Sequence, residues 1–243
     1  MTLRDFVDEI ASYRRTLTVY APEPDGALER YFETRNVTVE HEPIPDDGSG
    51  GFVVVTADGE FVGSLGLPAV RELVLPTVEE RELGPNESIR VPMNLLADTT
   101  FVSFDARQLL VATREIEDRA YRRGRGTLRS GFQTLGRLVP QRRKYERLAG
   151  ETELDVHVYG LPDAEPELAD AAVHAVDADE IASHWFVVFD GGGDDRQACA
   201  LLAEQVDDDP RSFRGFWTYD PGTVADVDEY LRATYGDERA GKR

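Results

Sequence analysis

The chain has 243 residues and is 41% hydrophobic, enough for a self-sufficient core in one large domain or two small ones, which excludes wholesale disorder. Asp and Glu number 47 against 27 Lys and Arg, a formal net charge of −20, and only Lys144 and Lys242 are lysines. Such an acidic, lysine-poor surface suits molar salt, where charges are screened within roughly 3 Å and self-repulsion costs little.

Leu3, Phe6, Val7 and Ile10 at helical spacing predict a helix over 2–12. Acids at positions 5, 8 and 9 leave no room there for the apolar core of a secretion signal. "TLTVY" (16–20) reads as a strand, "DGALERYFETR" (25–35) as a helix and "NVTVEHE" (36–42) as a second strand. "FVVVTADGEFVGSL" holds two strands around an Asp58-Gly59 turn, and Pro68 suits the first turn of a helix over 68–75. The Pro/Glu-rich stretch 76–92 reads as a linker or long loop.

"TTFVSFD" (99–105) reads as a strand ending at a capping Asp. Leu109, Ala112, Ile116 and Ala120 then share one face of a helix over 106–122, with Glu115/Arg119 and Asp118/Arg122 as i,i+4 pairs on the exposed side. "GRG" (124–126) ends that helix, and another is expected near 131–149, with Pro140 a break point. Beyond it the pattern alternates: strand "DVHVYG", helix 165–172, strand "AVHAV", helix 178–183, strand "WFVVFD", helix 195–206, strand "FRGFWTYD", helix 222–235 and a frayed tail.

"TLTVYAPEP" (16–24) matches "DVHVYGLPD" (155–163), "NVTV" (36–39) matches "AVHA" (172–175), and "GFVVVTADG" (51–59) matches "WFVVFDGGG" (185–193). Order and spacing are nearly kept, which implies an α/β fold of two related halves, mixed sheets flanked by helices, joined by a basic helical connector. The rival explanation is chance likeness among Val-rich strands. The expected domains are an N-terminal α/β half over 1–95, a second domain over 96–236 and a disordered tail over 237–243.

The runs "DDGSGG" (46–51) and "DGGGDD" (190–195) fit no phosphate-binding pattern and carry acids that repel phosphate, so they read as turns. His157 and His174 fall on neighbouring strands, where a two-histidine arrangement is conceivable; no helical metal pair exists. The single Cys199 cannot form an internal disulfide, fits a reducing cytoplasm, and sits in "QACALLAE" on what reads as a buried helix face. No nucleophile motif appears, no cofactor is named by any pattern, and no apolar run approaches a membrane span, so the expectation is a cytoplasmic, non-catalytic protein. Trp185 and Trp217 lie in strands, either as packing or as the wall of a ligand pocket.

Residues 114–147 stand apart, with 11 basic residues against 4 acidic ones. This island is a solvated helix face, a surface for nucleic acid or an anionic ligand, or a docking face for an acidic partner. Salt weighs against nucleic acid held by charge alone, because affinity falls with a log–log slope of about −0.9 per phosphate contact.

"FVSFDARQLLVATREIEDRA", "GFQTLGRLVPQRRKYERLA", "VHVYGLPD", "WFVVFDGG" and "RSFRGFWTYDP" resemble, in order, the DICT sensory domain found with diguanylate cyclases and two-component proteins; the likeness covers roughly 95–235. The R-x-I-E-x-x-A core with the later Phe-Gln is its most specific part. The resemblance implies a sensory role without catalysis but passes on no ligand-binding residues. The chain lacks histidine-kinase, GGDEF and helix-turn-helix patterns and looks like stand-alone members from salt-loving archaea, so its output is expected through a signalling protein, a kinase or regulator, in trans. The residues expected to meet a small anionic ligand or that partner are Arg114, Glu117, Arg122, Arg125, Gln133, Trp185 and Trp217. The competing expectation is a transcriptional regulator binding nucleic acid through the basic segment 119–147.

Overall fold

A computed structural model of the chain describes residues 1–13, 15–33, 36–74, 100–104, 106–206 and 212–236. The linker expected at 76–92, the cap at Asp105 and the tail over 237–243 lie outside them. Contacts divide the chain into two compact units, one of Met1–Val7 with Ser103–Arg243 and one of Asp8–Val102.

In the smaller unit a sheet of order β2-β1-β3-β4 combines β1 (Arg15–Ala21), β2 (Val37–Pro43), β3 (Phe52–Ala57) and β4 (Glu60–Gly66). β1 is parallel to β2 and antiparallel to β3. Alternation puts Leu17, Val19 and Ala21 of β1 on the buried face with Val53 and Val55 of β3. Leu28 and Phe32 of α2 (Gly26–Phe32) and Leu67 and Val70 of α3 (Leu67–Val74) complete that core. Asp25 caps α2 by accepting from the Ala27 and Leu28 amides, and it also accepts from Arg71 Nε at 2.6 Å. Asp58 and Gly59 both have positive φ, 51° and 84°, which the tight β3–β4 turn requires. α1 (Leu3–Ser12) forms as its spacing predicts, and Asn36 Nδ2 donates to the Ile10 and Tyr13 carbonyls at its end.

The larger unit is built on a sheet of order β5-β11-β10-β9-β6-β7-β8. Its strands are β5 (Thr100–Phe104), β6 (Arg125–Thr134), β7 (Glu153–Leu161), β8 (Ala171–Ala175), β9 (His184–Phe189), β10 (Cys199–Gln205) and β11 (Phe213–Thr218). β6, β7 and β8 are parallel; β6–β9, β9–β10 and β10–β11 are antiparallel. The helix α4 (Ala106–Arg123) packs against β6, β9 and β10, and α5 (Arg142–Gly150) against β7 and β8. From α6 (Asp179–Ser183) and α7 (Pro221–Tyr235) come the contacts to the other face, where Asp228 meets Arg129 and Glu180 accepts from Tyr230 and Tyr235. On that same side Leu3, Phe6 and Val7 are buried: the Leu3 amide donates to Glu180, Arg4 pairs with Glu204, and the Phe6 ring meets Tyr230 edge-on at 6.0 Å.

The structure is mixed α/β, and the two sheets run alike. β2-β1-β3-β4 corresponds to β8-β7-β9-β10 with β6 inserted between β7 and β9. The outer pairs are parallel in both, β1–β2 and β7–β8. That insertion is also where the expectation of a basic helical connector changes. Residues 131–134, expected as helix, continue β6, and helical turns begin only at Leu135. Strand neighbours on both sides override the local pattern, and the buried Arg129 is satisfied by Asp228 and the Tyr159 hydroxyl.

Two other expected helices are absent. Residues 199–205 form β10, a strand buried on both faces between β9 and β11, so Cys199 sits on a strand and its thiol is pushed up to about 12 by burial. A short apolar run of Ala and Leu cannot be told from a buried helix by periodicity alone. Residues 165–168 are irregular, and Asp170 at φ 61° turns the chain into β8 at Ala171. No described helix is long and apolar enough to cross a membrane.

His184 at the start of β9 supplies a pH dependence. Its Nδ1 meets the Glu180 carbonyl at 2.7 Å and therefore carries the proton, while Nε2 is buried with no hydrogen-bond partner. Burial holds its pKa below the ordinary value, against the opposing pull of Glu180 and Glu204. The unfolded chain thus takes up this proton first, so the contribution of neutral His184 is intact above about pH 6.5 and is lost as pH falls through the folded pKa. Unfolding free energy should fall by up to about 1.4 kcal/mol per pH unit across that window, and His184→Gln should flatten the slope. Identical slopes for the two proteins would assign the acid limb to other groups.

Candidate functional site

One side of the larger sheet carries a cleft of about 120 Å³ between α4, α5 and strands β6 and β9. α4 faces the sheet with Leu109, Ala112, Ile116 and Ala120, as the spacing predicts. One step round the helix it presents Leu110, Thr113, Arg114 and Glu117 to the cleft. β6 contributes Ser130 and Phe132, β9 contributes Trp185 and Val187, and α5 contributes Lys144 and Tyr145. Arg137 and Gln141 stand on the helical turns that join β6 to α5.

Glu117 anchors the floor. It is 3% exposed, accepts from the Tyr145 hydroxyl at 2.6 Å and is paired with Lys144 Nζ. Burial raises the carboxyl pKa, and the ammonium and phenol partly restore the ionised form. Tyr145 is pushed well above its ordinary value, first by burial and then by the Glu117 charge. The ring of Tyr145 meets Phe132 edge-on at 5.2 Å. Ser130 Oγ is buried beside the Tyr145 hydroxyl and has no partner of good hydrogen-bond geometry. Trp185 is fixed by a 3.1 Å bond from Nε1 to Thr113 Oγ1.

At the mouth Arg114 and Arg137 are exposed and neither has an acidic partner among the described residues. With Glu117 balanced by Lys144, the cleft carries two uncompensated positive charges against mostly apolar walls. Gln133, in the rare left-handed conformation at φ 62°, marks a register shift where β6 leaves β7. Its amide donates to the Ala182 carbonyl and to Gln205 Oε1, and its own oxygen accepts from Arg137 Nη1.

Three residues expected at a site, Arg114, Glu117 and Trp185, therefore line one cleft, and Gln133 reaches it through Arg137. The other three lie elsewhere. Arg122 faces Glu115 at 3.6 Å, Arg125 donates to the Gly192 carbonyl, and Trp217 is buried in β11. The Glu115/Arg119 pair is not on the exposed side: Arg119 is 5% exposed and lies over the Tyr219 ring at 4.7 Å. Arg122 turns to Glu115 rather than Asp118, because α4 is embedded on two flanks rather than one.

Lys144, Tyr145, Ser130 and Arg137 escaped the sequence reading. A signal existed for Lys144, since a chain with 27 cations uses lysine twice. His157 and His174 do come together, but as a 2.9 Å hydrogen bond between Nδ1 and Nε2, with Asp155 3.0 Å from the other ring nitrogen of His157. Among the described residues no group of three His, Cys, Asp or Glu is placed to hold a metal.

Residues 90–205, which include α4, β6, α5 and β9, match the DICT family, described as a sensory domain in diguanylate cyclases and two-component systems. Over this segment the chain is similar to the DICT sensory domain. That description supports a sensory, signal-transduction role, and the cleft lies within the matched segment. No curated protein matches the chain. Among solved structures, a polyphosphate kinase from Porphyromonas gingivalis aligns with a TM-score of 0.35 and 12% identity, over 95% of this chain and 47% of that one. The chain thus spans about half the length of that protein.

Proposed function

We propose that this chain is a cytoplasmic, non-catalytic sensor: its DICT domain, taken as residues 96–236 beside an α/β half over 1–95, holds a small anionic ligand in the α4–α5 cleft. Occupancy is passed to a signalling protein in trans. The observation that carries this reading is the pairing of a balanced Glu117–Lys144–Tyr145 floor with two guanidiniums, Arg114 and Arg137, that have no acidic partner among the described residues. α5 is tied to α4 through Glu117 alone among the cleft's carboxylates, so a ligand that draws on Lys144 would loosen that tie and move α5.

The basic segment supports a nucleic-acid surface less well. Arg119 and Arg129 are buried, and Arg142 and Arg147 are in ion pairs with Glu146 and Glu151, which leaves a broken positive face.

Thermal unfolding in molar KCl tests the reading with a panel of small anions. A ligand at 100 times its Kd adds about 2.7 kcal/mol, which for a chain of this size raises Tm by roughly 5–11 °C. Arg114→Ala should abolish the shift while leaving the unliganded Tm unchanged. A shift that survives Arg114→Ala and Arg137→Ala together would move the ligand out of this cleft.

A further inference from the structure

Resting on that reading, the geometry points to a ligand class: we infer that the cleft takes a monocyclic aromatic carboxylate, with the carboxylate between Arg114 and Arg137 and the ring against Trp185 and Phe132. Three observations converge. The cleft holds about 120 Å³, near the roughly 150 Å³ of a protein cavity that accepts benzene, so one ring fits and a dinucleotide or tetrapyrrole does not. Its walls are Leu110, Phe132, Trp185 and Val187, apolar groups that gain nothing from a bare inorganic anion. Its charge is concentrated at the mouth in two planar guanidiniums, which match a carboxylate's two oxygens.

Salt strengthens the case for a ring. In the molar salt that the composition suits, an anion held by charge alone competes with molar chloride, and screening leaves only direct contacts effective. Selectivity must then come from apolar burial, which salt does not weaken. Ser130 belongs to the cleft lining, and its Oγ is buried beside the Tyr145 hydroxyl without a partner of good geometry. A ring bearing a hydroxyl opposite its carboxylate would satisfy it, so 4-hydroxybenzoate should bind more tightly than benzoate.

Titration calorimetry on the full chain in molar KCl decides this with four probes: benzoate, 4-hydroxybenzoate, benzamide and inorganic phosphate. Benzoate should bind, benzamide at least tenfold more weakly, and 4-hydroxybenzoate several-fold more tightly. Arg114→Ala should cost benzoate about tenfold or more, and Ser130→Ala should erase only the advantage of the hydroxyl. Equal binding of benzoate and benzamide overturns the carboxylate assignment. Phosphate binding that Arg114→Ala removes, without benzoate binding, overturns the ring but leaves an anion sensor standing. Binding of none of the four removes both the ligand class and the cleft as an anion site.

Discussion

Glu117→Ala should lower Tm by roughly 6–20 °C, the largest effect expected of any single cleft residue. The substitution strips the acceptor from the hydroxyl of Tyr145, a residue that is 1% exposed, and the counter-charge from Lys144. Removing one member of a buried ion pair costs about 3–5 kcal/mol, because the remaining groups stay desolvated. Lys144 keeps 30% of its side chain exposed and can turn to water, so the loss should sit toward the lower end and be carried mainly by Tyr145. At about 2–4 °C per kcal/mol this gives the stated range. Glu117→Gln, which keeps an acceptor for Tyr145 but not the charge, should fall between. Because burial raises the Glu117 pKa, the ionised form is the costlier one to bury, and its adverse contribution shrinks as pH drops through the folded pKa. The gap between wild type and the less stable Glu117→Gln should therefore widen as pH falls through that folded pKa. Arg123→Ala, which loses one 3.2 Å bond to the Gly192 carbonyl, should stay within about 0.5–1 kcal/mol of wild type. Equal melting temperatures for wild type and Glu117→Ala would remove Glu117 as the tie between α4 and α5.

Gly215→Ala should destabilise the larger unit by about 3 kcal/mol or more and leave much of the protein insoluble. Gly215 pairs with Ala203 across β10 and β11. A Cβ there would press on the Leu202 carbonyl oxygen and lie 2.7 Å from Ala203 Cα, and both are backbone atoms of β10 that no rotamer change can move aside. The two strands must part, in a sheet whose β10 is buried along both faces. Gly26→Ala gives the contrast. Gly26 opens α2 with nothing within 4 Å of a new Cβ and no positive φ, so alanine there should add about 0.4–1 kcal/mol by restricting the unfolded chain. Denaturant titration of both variants separates steric exclusion from chain entropy; a Gly215→Ala protein as stable as wild type would mean that β10 and β11 can separate freely.

Where one face of an element is buried and the other wet, the sequence was legible. Leu109, Ala112, Ile116 and Ala120 mark α4 by spacing alone, and Asp58-Gly59 announces its turn. Where burial is two-sided or polar, it was not. β10 has no alternation to read, and β6 showed no strand signal because the partners that satisfy its buried Arg129, Asp228 and Tyr159, lie 99 and 30 residues away in the chain. The site divides the same way. Arg114 and Glu117 lie three apart on a recognisable helix, whereas the partners that give Glu117 its meaning, Lys144 and Tyr145, arrive 27 and 28 residues later after a strand that the pattern concealed.

The placement of Leu3 and Arg4 bears on how the protein is made. Their partners Glu180 and Glu204 lie 177 and 200 residues further along. At about 5–20 residues per second, roughly 10–40 s separate the emergence of these residues from the ribosome and that of the groups that receive them. Throughout that interval the apolar side chains of Leu3, Phe6 and Val7 have no surface of the larger unit to cover. Nascent chains stalled before residue 180 should therefore hold this segment open to protease, and chains released past residue 235 should hide it.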